Sequence, residues 1–408
     1  MNTEKTNPSY FIQLEERHGA HNYHPLPVVL SKGEGVYLWD VQGKKYYDFL
    51  SAYSAVNQGH CHPYILKAFQ EQAKQLTLTS RAFYNDKLGV FEKYITELLG
   101  YDKVLPMNSG AEGVETALKL ARKWAYKVKG IHPGKAKILV ASGNFHGRTI
   151  SIITFSVDPT AKNDYGPYTP GFEVIPYNDL DALDEALKDP DVAGFLVEPI
   201  QGEAGVYVPD DGYLRGVAER CHHANVLFIA DEIQTGLART GKMLACDHEL
   251  VKPDILILGK ALSGGMMPIS AVLANDSIML TILPGEHGST YGGNPLASAV
   301  AVASLEVLVQ EKLADNAAIL GKRLRNGLQK INHPLIRTVR GKGLLNALVI
   351  DADSESETAW KICLEMAKNG LLAKPTHGNI IRFAPPLVIH EEQIDECLHI
   401  ISKSLSKF

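Results

Sequence analysis

This 408-residue chain has no surplus of basic residues: 41 Lys and Arg stand against 46 Asp and Glu, a formal net charge of −5. A nucleic-acid surface needs excess cations to meet phosphate, so the balance argues against such a partner. Cysteine is scarce, with five residues at 61, 221, 246, 363 and 397, scattered and without a CxxC pair. That usage predicts free thiols in a reducing compartment rather than a disulfide framework. Long apolar runs are missing too. The most apolar stretch, Ala297–Val309, contains Ser298, Ser304 and Glu306 and falls short of the roughly 20 residues a bilayer span requires. The N-terminal MNTEKTNPSYFIQLEERHG holds three acidic residues and no apolar core, so it reads as neither a signal nor a transit peptide. These absences predict a cytoplasmic protein without a membrane partner. Internal repeats, low-complexity segments and long linkers are not found either.

What is present is alternation. Lys137–Ala141, Val192–Val197, Val226–Ala230 and Ile255–Leu258 are short continuous apolar runs, as expected of strands buried on both faces of a parallel sheet. Helical patterns lie between them; in the clearest, Val114, Ala117, Leu118, Ala121, Trp124 and Ala125 mark one face. This predicts an α/β domain with its ligand site at the strands' C-terminal ends. Further on, helical patterns near 305–331 and 356–370 flank strand-like Gly343–Ile350 and Ile380–Phe383, which predicts a smaller α+β unit.

Lys260 follows the buried run Ile255–Leu258. Lysine is seldom buried unless paired or used, and burial frees its amine to attack a carbonyl. The plainer alternative is a loop lysine reaching solvent. Asp231 ends the run Val226–Ala230, and two strands would bring this acid and that amine to one sheet edge. Pyridoxal phosphate needs such a pair, an amine for its aldehyde and a carboxylate to keep its pyridine nitrogen protonated. Asp231 could equally be a helix cap. Asn108–Ala111, with Ser109 and Gly110, opens the amphipathic helix and offers free amides to a phosphate. Gly288–Asn294, with Ser289 and Thr290, is a second glycine-rich candidate. In Gly143–Arg148, Phe145 could stack on a pyridine ring and Arg148 could pair with a carboxylate; a polar loop with a structural phenylalanine is the alternative. Gly236–Lys242 has P-loop spacing, but Met243 stands where the magnesium-binding hydroxyl belongs. His60-Cys61-His62 and Cys221-His222-His223 lack zinc-site spacing, so no metal is expected.

Taken together, SGAEGVETALKLARKW, GNFHGRT, VEPIQGEAGV, LFIADEIQTGLARTGK, LGKALSGG and GSTYGGNP occur in the order found in class III (ω-) aminotransferases. HNYHPLPVVL, SAYSAVNQGHCHP, TLTSRAFYN and LLAKPTHGNIIRFAPPL narrow the resemblance to members that act on ornithine, and it runs from about residue 15 to the C-terminus. The resemblance implies an α/β protein of the PLP-dependent transferase fold type I. Residues 51–305 would form a large cofactor-binding domain with a mostly parallel sheet flanked by helices. Residues 306–408 would form a smaller α+β domain, with 1–50 contributing to it and to the mouth of the site. It also implies a homodimer with active sites at the interface.

Residue by residue, the resemblance makes Lys260 the lysine that holds the cofactor aldehyde and Asp231 the partner of its ring nitrogen. Phe145 would stack on the ring, with His146 beside it, and Gln234 would lie near the 3-hydroxyl. Ser109, Gly110 and Ala111 would meet the phosphate together with Ser289 and Thr290, Thr290 coming from the other subunit. Gly113 stands where many members have alanine. Tyr23 and Arg148 would hold the α-amino and α-carboxylate groups of L-ornithine, with Tyr53 as a further wall and Glu198 near Arg148 and Gln234. Glu203 would pair with Arg382 and mask it. For 2-oxoglutarate or glutamate, Glu203 would release Arg382 to take the α-carboxylate while Arg148 takes the distal one. Without the resemblance, Glu203–Arg382 reads as a surface ion pair and Tyr23 as a core aromatic. The rival substrates are N-acetylornithine and 4-aminobutyrate, against which Tyr23 argues; a further rival is a scaffold that has lost catalysis, against which Lys260, Asp231 and Arg148 argue.

Overall fold

Residues 6–408 are described in the computed structural model. The first five residues of the N-terminal stretch read above lie outside the described residues. Near the N-terminus, β1 (Leu30–Glu34), β2 (Tyr37–Asp40) and β3 (Lys45–Asp48) form an antiparallel sheet. The middle of the chain builds a seven-stranded sheet from β4 (Lys103–Met107), β5 (Lys137–Ala141), β6 (Phe172–Ile175), β7 (Val192–Val197), β8 (Leu227–Asp231), β9 (Ile255–Leu258) and β10 (Ser270–Ala274), in the order β4-β10-β9-β8-β7-β5-β6. Strands β9, β8, β7, β5 and β6 run parallel, and β10 runs antiparallel to both of its neighbours. Helices including Gly110–Trp124 and Tyr213–His223 pack against the sheet. The fold is therefore α/β, as the strand–helix alternation predicts.

The buried runs are legible because β7, β8 and β9 bury every residue. The third run is displaced by one position, β8 beginning at Leu227 and ending on Asp231. Val226 instead closes the preceding turn, its amide donating to the Cys221 carbonyl at 2.8 Å. The Gly110–Trp124 helix lies close over β9 and β10 because Gly113 has no side chain. A Cβ there would sit 3.1 Å from Ile257 Cγ2.

The last part of the chain forms a four-stranded sheet from β11 (Ile336–Lys342), β12 (Leu345–Ile350), β14 (Lys374–Thr376) and β15 (Ile380–Phe383), in the order β11-β12-β15-β14. The two-residue β13 (Leu371–Leu372) instead pairs parallel to β3 and completes the N-terminal sheet. Three expectations shift here. The helical pattern over 305–331 is two helices, Pro295–Gln310 and Leu313–Gln329, broken where Lys312 takes a left-handed φ of 51°. The strand-like stretch Gly343–Ile350 begins at Leu345 because Gly343, at φ 55°, is in the turn. The helical pattern over 356–370 narrows to Thr358–Lys368. Among the described residues no helix is long and apolar enough to cross a membrane.

Candidate active site

Four neighbouring parallel strands, β5, β7, β8 and β9, deliver their C-terminal ends to one place. After β5 comes the loop with Phe145, His146 and Arg148; after β7, Glu198; at the end of β8, Asp231; after β9, Lys260. This is the edge where open α/β sheets bind ligands. A cavity of about 220 Å³ forms there, lined by Gly110, Ala111, Phe145, His146, Glu198, Glu203, Asp231, Gln234 and Lys260, with Gly147, Ile233 and Thr235.

Asp231 Oδ2 lies 2.7 Å from His146 Nδ1, and Oδ1 accepts from the Ile233 amide at 3.1 Å. The carboxylate therefore does cap a turn, but its other oxygen is committed to a wholly buried imidazole. Burial alone would depress that histidine; the Asp231 hydrogen bond and charge, with Glu198, outweigh it and raise it above the ordinary value. Lys260 is half-buried at a left-handed φ of 45°. Burial pulls its ammonium below the usual lysine value, against the raising effect of Glu203 and Asp231. A lysine so placed is closer to a free amine at neutral pH than a solvated one.

Glu198 accepts from the Phe145 amide at 2.8 Å, and burial pushes its carboxyl up to about 7, despite the opposing charge of His146. A carboxyl raised on folding is proton-poorer in the unfolded chain between the two values, so its charge destabilises the fold as pH rises from about 4.5 towards 7. Glu198→Gln is expected to match the parent near pH 4 and to exceed it by about 1–3 kcal/mol at pH 8. Urea unfolding at the two pH values checks this, and equal stabilities at pH 8 would contradict it.

The Gly110–Trp124 helix opens with a capping box: Glu112 accepts from the Ser109 amide at 2.7 Å and from the Asn108 amide at 3.0 Å, and its own amide donates to Ser109 Oγ at 3.2 Å. The first-turn amides of Gly110 and Ala111 have no intrahelical partner and face the cavity end of the helix, as an anion site requires. Ser289 reaches this helix start, its Oγ accepting from Asn108 Nδ2 at 2.9 Å. Thr290 is exposed and does not line the cavity of its own chain.

On the other side of the cavity, Arg382 is buried on β15 and its Nη1 lies 2.7 Å from Glu203 Oε1. This is no surface pair. Burial would raise the Glu203 carboxyl, but the charge and hydrogen bond of Arg382 win and lower it. Gln234 Nε2 donates to Glu203 Oε1 at 3.3 Å and to the Tyr53 carbonyl at 3.4 Å. The Arg382 guanidinium lies 5.0 Å from the Tyr53 ring centre, and Tyr23 and Arg148 are near enough to act on the Tyr53 phenol electrostatically. Arg148 is exposed, 5.7 Å from the Phe145 ring. Tyr23 is 67% exposed, so it is not a core aromatic.

The residues fit pyridoxal phosphate on three counts. An amine and a carboxylate share the cavity with the Phe145 face; two amides wait at a helix start; and Gln234 Oε1 and His146 Nε2 are buried without a hydrogen-bond partner among the described residues. Buried polar atoms are rarely left unpaired, so an orphan acceptor beside the cavity points to a ligand donor.

Sequence reasoning missed the backbone that carries Tyr53. Ser51, Ala52, Tyr53 and Ser54 all have positive φ, between 46° and 72°. Such a run is costly for residues with a Cβ, about 1–2 kcal/mol each. Asp48 holds it, Oδ1 accepting from the Leu50 and Ser51 amides at 2.8 Å. Asp48 Oδ2 lies 2.7 Å from His60 Nε2, and His62 Nε2 lies 2.9 Å from Glu311. Those histidines thus have other work. The segment with P-loop spacing is buried from Gly236 to Gly241 and presents no open loop to a nucleotide.

The class-III aminotransferase family profile matches residues 18–405. A rat protein named "Ornithine aminotransferase, mitochondrial" is 62% identical over 408 residues, covering 100% of this chain and 93% of its own. The ornithine aminotransferase of Toxoplasma gondii, whose structure is described as having partial occupancy of PLP at the active site, superposes with a TM-score of 0.97 at 50% identity, over 99% of this chain and 95% of that one. A structure named acetylornithine aminotransferase, from Elizabethkingia anophelis, superposes at 0.91 with 62% identity, over 98% of this chain and 100% of that one. The expectation of a cytoplasmic protein is overturned by these relatives: those from rat and from Drosophila melanogaster are named mitochondrial. Free cysteines and an acidic net charge do not separate two compartments that both keep thiols reduced.

Proposed function

The chain belongs to the class-III aminotransferases, enzymes of PLP fold type I, and from that premise we propose that it moves the δ-amino group of L-ornithine to 2-oxoglutarate, yielding glutamate 5-semialdehyde and glutamate. The semialdehyde then closes on its own amine to pyrroline-5-carboxylate. The observation that carries the substrate reading is the Glu203–Arg382 pair at 2.7 Å, in which the guanidinium is buried and the carboxylate half-buried. When bound, pyridoxal phosphate supplies an aldehyde that accepts the amino group and a ring that stabilises the substrate carbanion, so two half-reactions alternate in ping-pong order.

The chain's own residues do the rest. Lys260 moves the proton at the amine-bearing carbon of the substrate, first as base and then as acid. Asp231, hydrogen-bonded to His146, would pair with the ring nitrogen. Phe145 would cover the ring, Gln234 would meet its hydroxyl, and Ser109, Gly110, Ala111 and Ser289 would hold the phosphate. Glu198 keeps the Phe145 loop in place. Tyr23 and Arg148 orient ornithine so that its δ end enters, and Tyr53 closes the wall. Glu203 cancels the charge of Arg382 during that half-reaction; otherwise Arg382 would draw the ornithine carboxylate inward and present the wrong amine. The dicarboxylate displaces Glu203, and its two ends pair with Arg382 and Arg148.

We also propose a homodimer, with Thr290 completing the phosphate site of the other subunit. Its exposure outside its own cavity supports this, and sedimentation of a single species at monomer mass would refute it. The division at 51–305 and 306–408, with 1–50 joined to the smaller unit, is proposed on the sheets: one lies wholly within 103–274, whereas β13 joins the N-terminal strands.

The N-acetylornithine reading is kept alive by the Elizabethkingia relative. An acetylated α-amine carries no charge and would gain little from Tyr23. Adding ornithine, N-acetylornithine or 4-aminobutyrate singly, without oxo acid, and following the cofactor absorbance separates these. Conversion with N-acetylornithine but not ornithine would sink the substrate assignment; silence with every amine would favour a non-catalytic scaffold. In the same assay, Glu203→Gln is expected to lower kcat/KM for ornithine by about 10–100-fold, while the half-reaction with 2-oxoglutarate stays within about threefold. Equal losses in both would argue against masking.

A further inference from the structure

Glu203 sits on the tight turn Gly202–Val206, and this turn is fastened to the sheet that carries Arg382. Thr376 Oγ1 donates to the Glu203 carbonyl at 2.9 Å. Arg340 Nε donates to the Gly205 carbonyl at 2.9 Å, with its guanidinium stacked 3.8 Å from the Tyr207 ring. Gly205, at φ 115°, lies against β15 so closely that a Cβ would meet Ile380 Cδ1 at 2.5 Å. The register matters: Thr376 pairs with Ile380 and Lys374 with Arg382 in one hairpin, β14–β15. Arg340, Ala347 and Arg382 stand opposite one another across β11, β12 and β15. One hairpin therefore holds both halves of the ion pair, the Arg382 side chain directly and the Glu203 backbone through Thr376.

A turn docked at three points has little freedom to swing. We propose that Thr376 is a positioning residue for substrate choice: by fixing the Glu203 backbone to the Arg382 hairpin, it confines unmasking to rotation of the Glu203 side chain. This deepens the reading of Glu203 and Arg382 given above and rests on it. With the anchor removed, the turn relaxes, the carboxylate covers Arg382 less well, and an amino acid and a diacid respond in opposite directions. A group that merely stabilised the fold would weaken both.

The test compares the holoenzyme with Thr376→Val, which keeps the shape and removes the donor, and Thr376→Ser, which restores it. Calorimetry with glutarate, a dicarboxylate without an amine, reads the availability of Arg382 without any turnover. In Thr376→Val we expect glutarate to bind about three- to tenfold tighter and kcat/KM for the ornithine half-reaction to fall by about fivefold to tenfold, the effect of one net hydrogen bond. Thr376→Ser should return both towards the parent. Parallel weakening of both ligands, no change in either, or a serine variant that behaves like valine would each overturn the proposal. If the parent fails to react with ornithine, the substrate reading fails, yet the glutarate measurement still judges the anchor.

Discussion

Replacing Lys260 with alanine is expected to lower kcat for amino transfer by at least about four orders of magnitude while leaving a folded protein. Two separate tasks end with that one amine. It is the nucleophile within the cavity that can hold the cofactor aldehyde covalently, and it is the base placed to move the proton of the substrate carbon. Burial lowers its basicity, which favours both tasks. Asp231 and His146 cannot replace it, since Asp231 is bound to His146 and to the Ile233 amide. Lys260→Arg should fare no better, because a guanidinium does not give up its proton in a protein. Borohydride reduction followed by peptide mass analysis gives a readout independent of rate: the parent should carry the cofactor mass at Lys260 and the variant nowhere. A variant that retains a rate within about tenfold of the parent would remove Lys260 from the chemistry.

The second large effect concerns stability. Arg239 is fully buried and, among the described residues, forms no ion pair with a carboxylate. Its guanidinium instead donates to Asn57 Oδ1 at 2.6 and 3.1 Å, to the Leu344 carbonyl at 3.0 Å and to the Pro385 carbonyl at 2.6 Å. Asn57 in turn donates to the Leu237 carbonyl at 2.7 Å. One side chain thus ties the loop after β8 to Asn57, beyond the left-handed run at 51–54, and to two points of the C-terminal sheet region. Burial draws its basicity down to about 9, which still leaves it charged at neutral pH. Arg239→Met keeps much of the volume but strands the buried acceptors. Each unsatisfied group costs about 1–3 kcal/mol, so a total loss of about 3–5 kcal/mol is expected. Chemical unfolding at fixed protein concentration measures it, and a loss under about 1 kcal/mol would mean that the acceptors find other donors.

The two residues are not equally visible in the sequence. Lys260 stands out because it follows a buried apolar strand, and Asp231 because it ends another. Arg239 stands within a P-loop-like spacing, and nothing in GLARTGK signals a buried hub, because its partners lie about 100–180 positions away in the chain. Asp48, which braces the left-handed run under Tyr53, gave no sign for a related reason: φ angles are not written in hydrophobic periodicity. The strands that periodicity does not reveal, β1, β4, β6 and β11 among them, are only partly buried, so their polar positions hide the pattern. The cytoplasmic expectation failed because composition does not record the compartment.

By itself the sequence determined the α/β class, four of the central strands to within one residue, the lysine, the carboxylate and the helix start that together ask for pyridoxal phosphate, and, through ordered motifs, the family. Local burial and short spacings carry those features, and both are properties of a linear string. Tertiary structure alone decided that Glu203 pairs with a buried Arg382 rather than lying in a surface pair, that Asp231 is fastened to His146, and that Thr376 donates to the backbone of the turn that carries Glu203. These relations join residues about 85–180 positions apart. Their energies come from desolvation and distance, which exist only once the sheets have met.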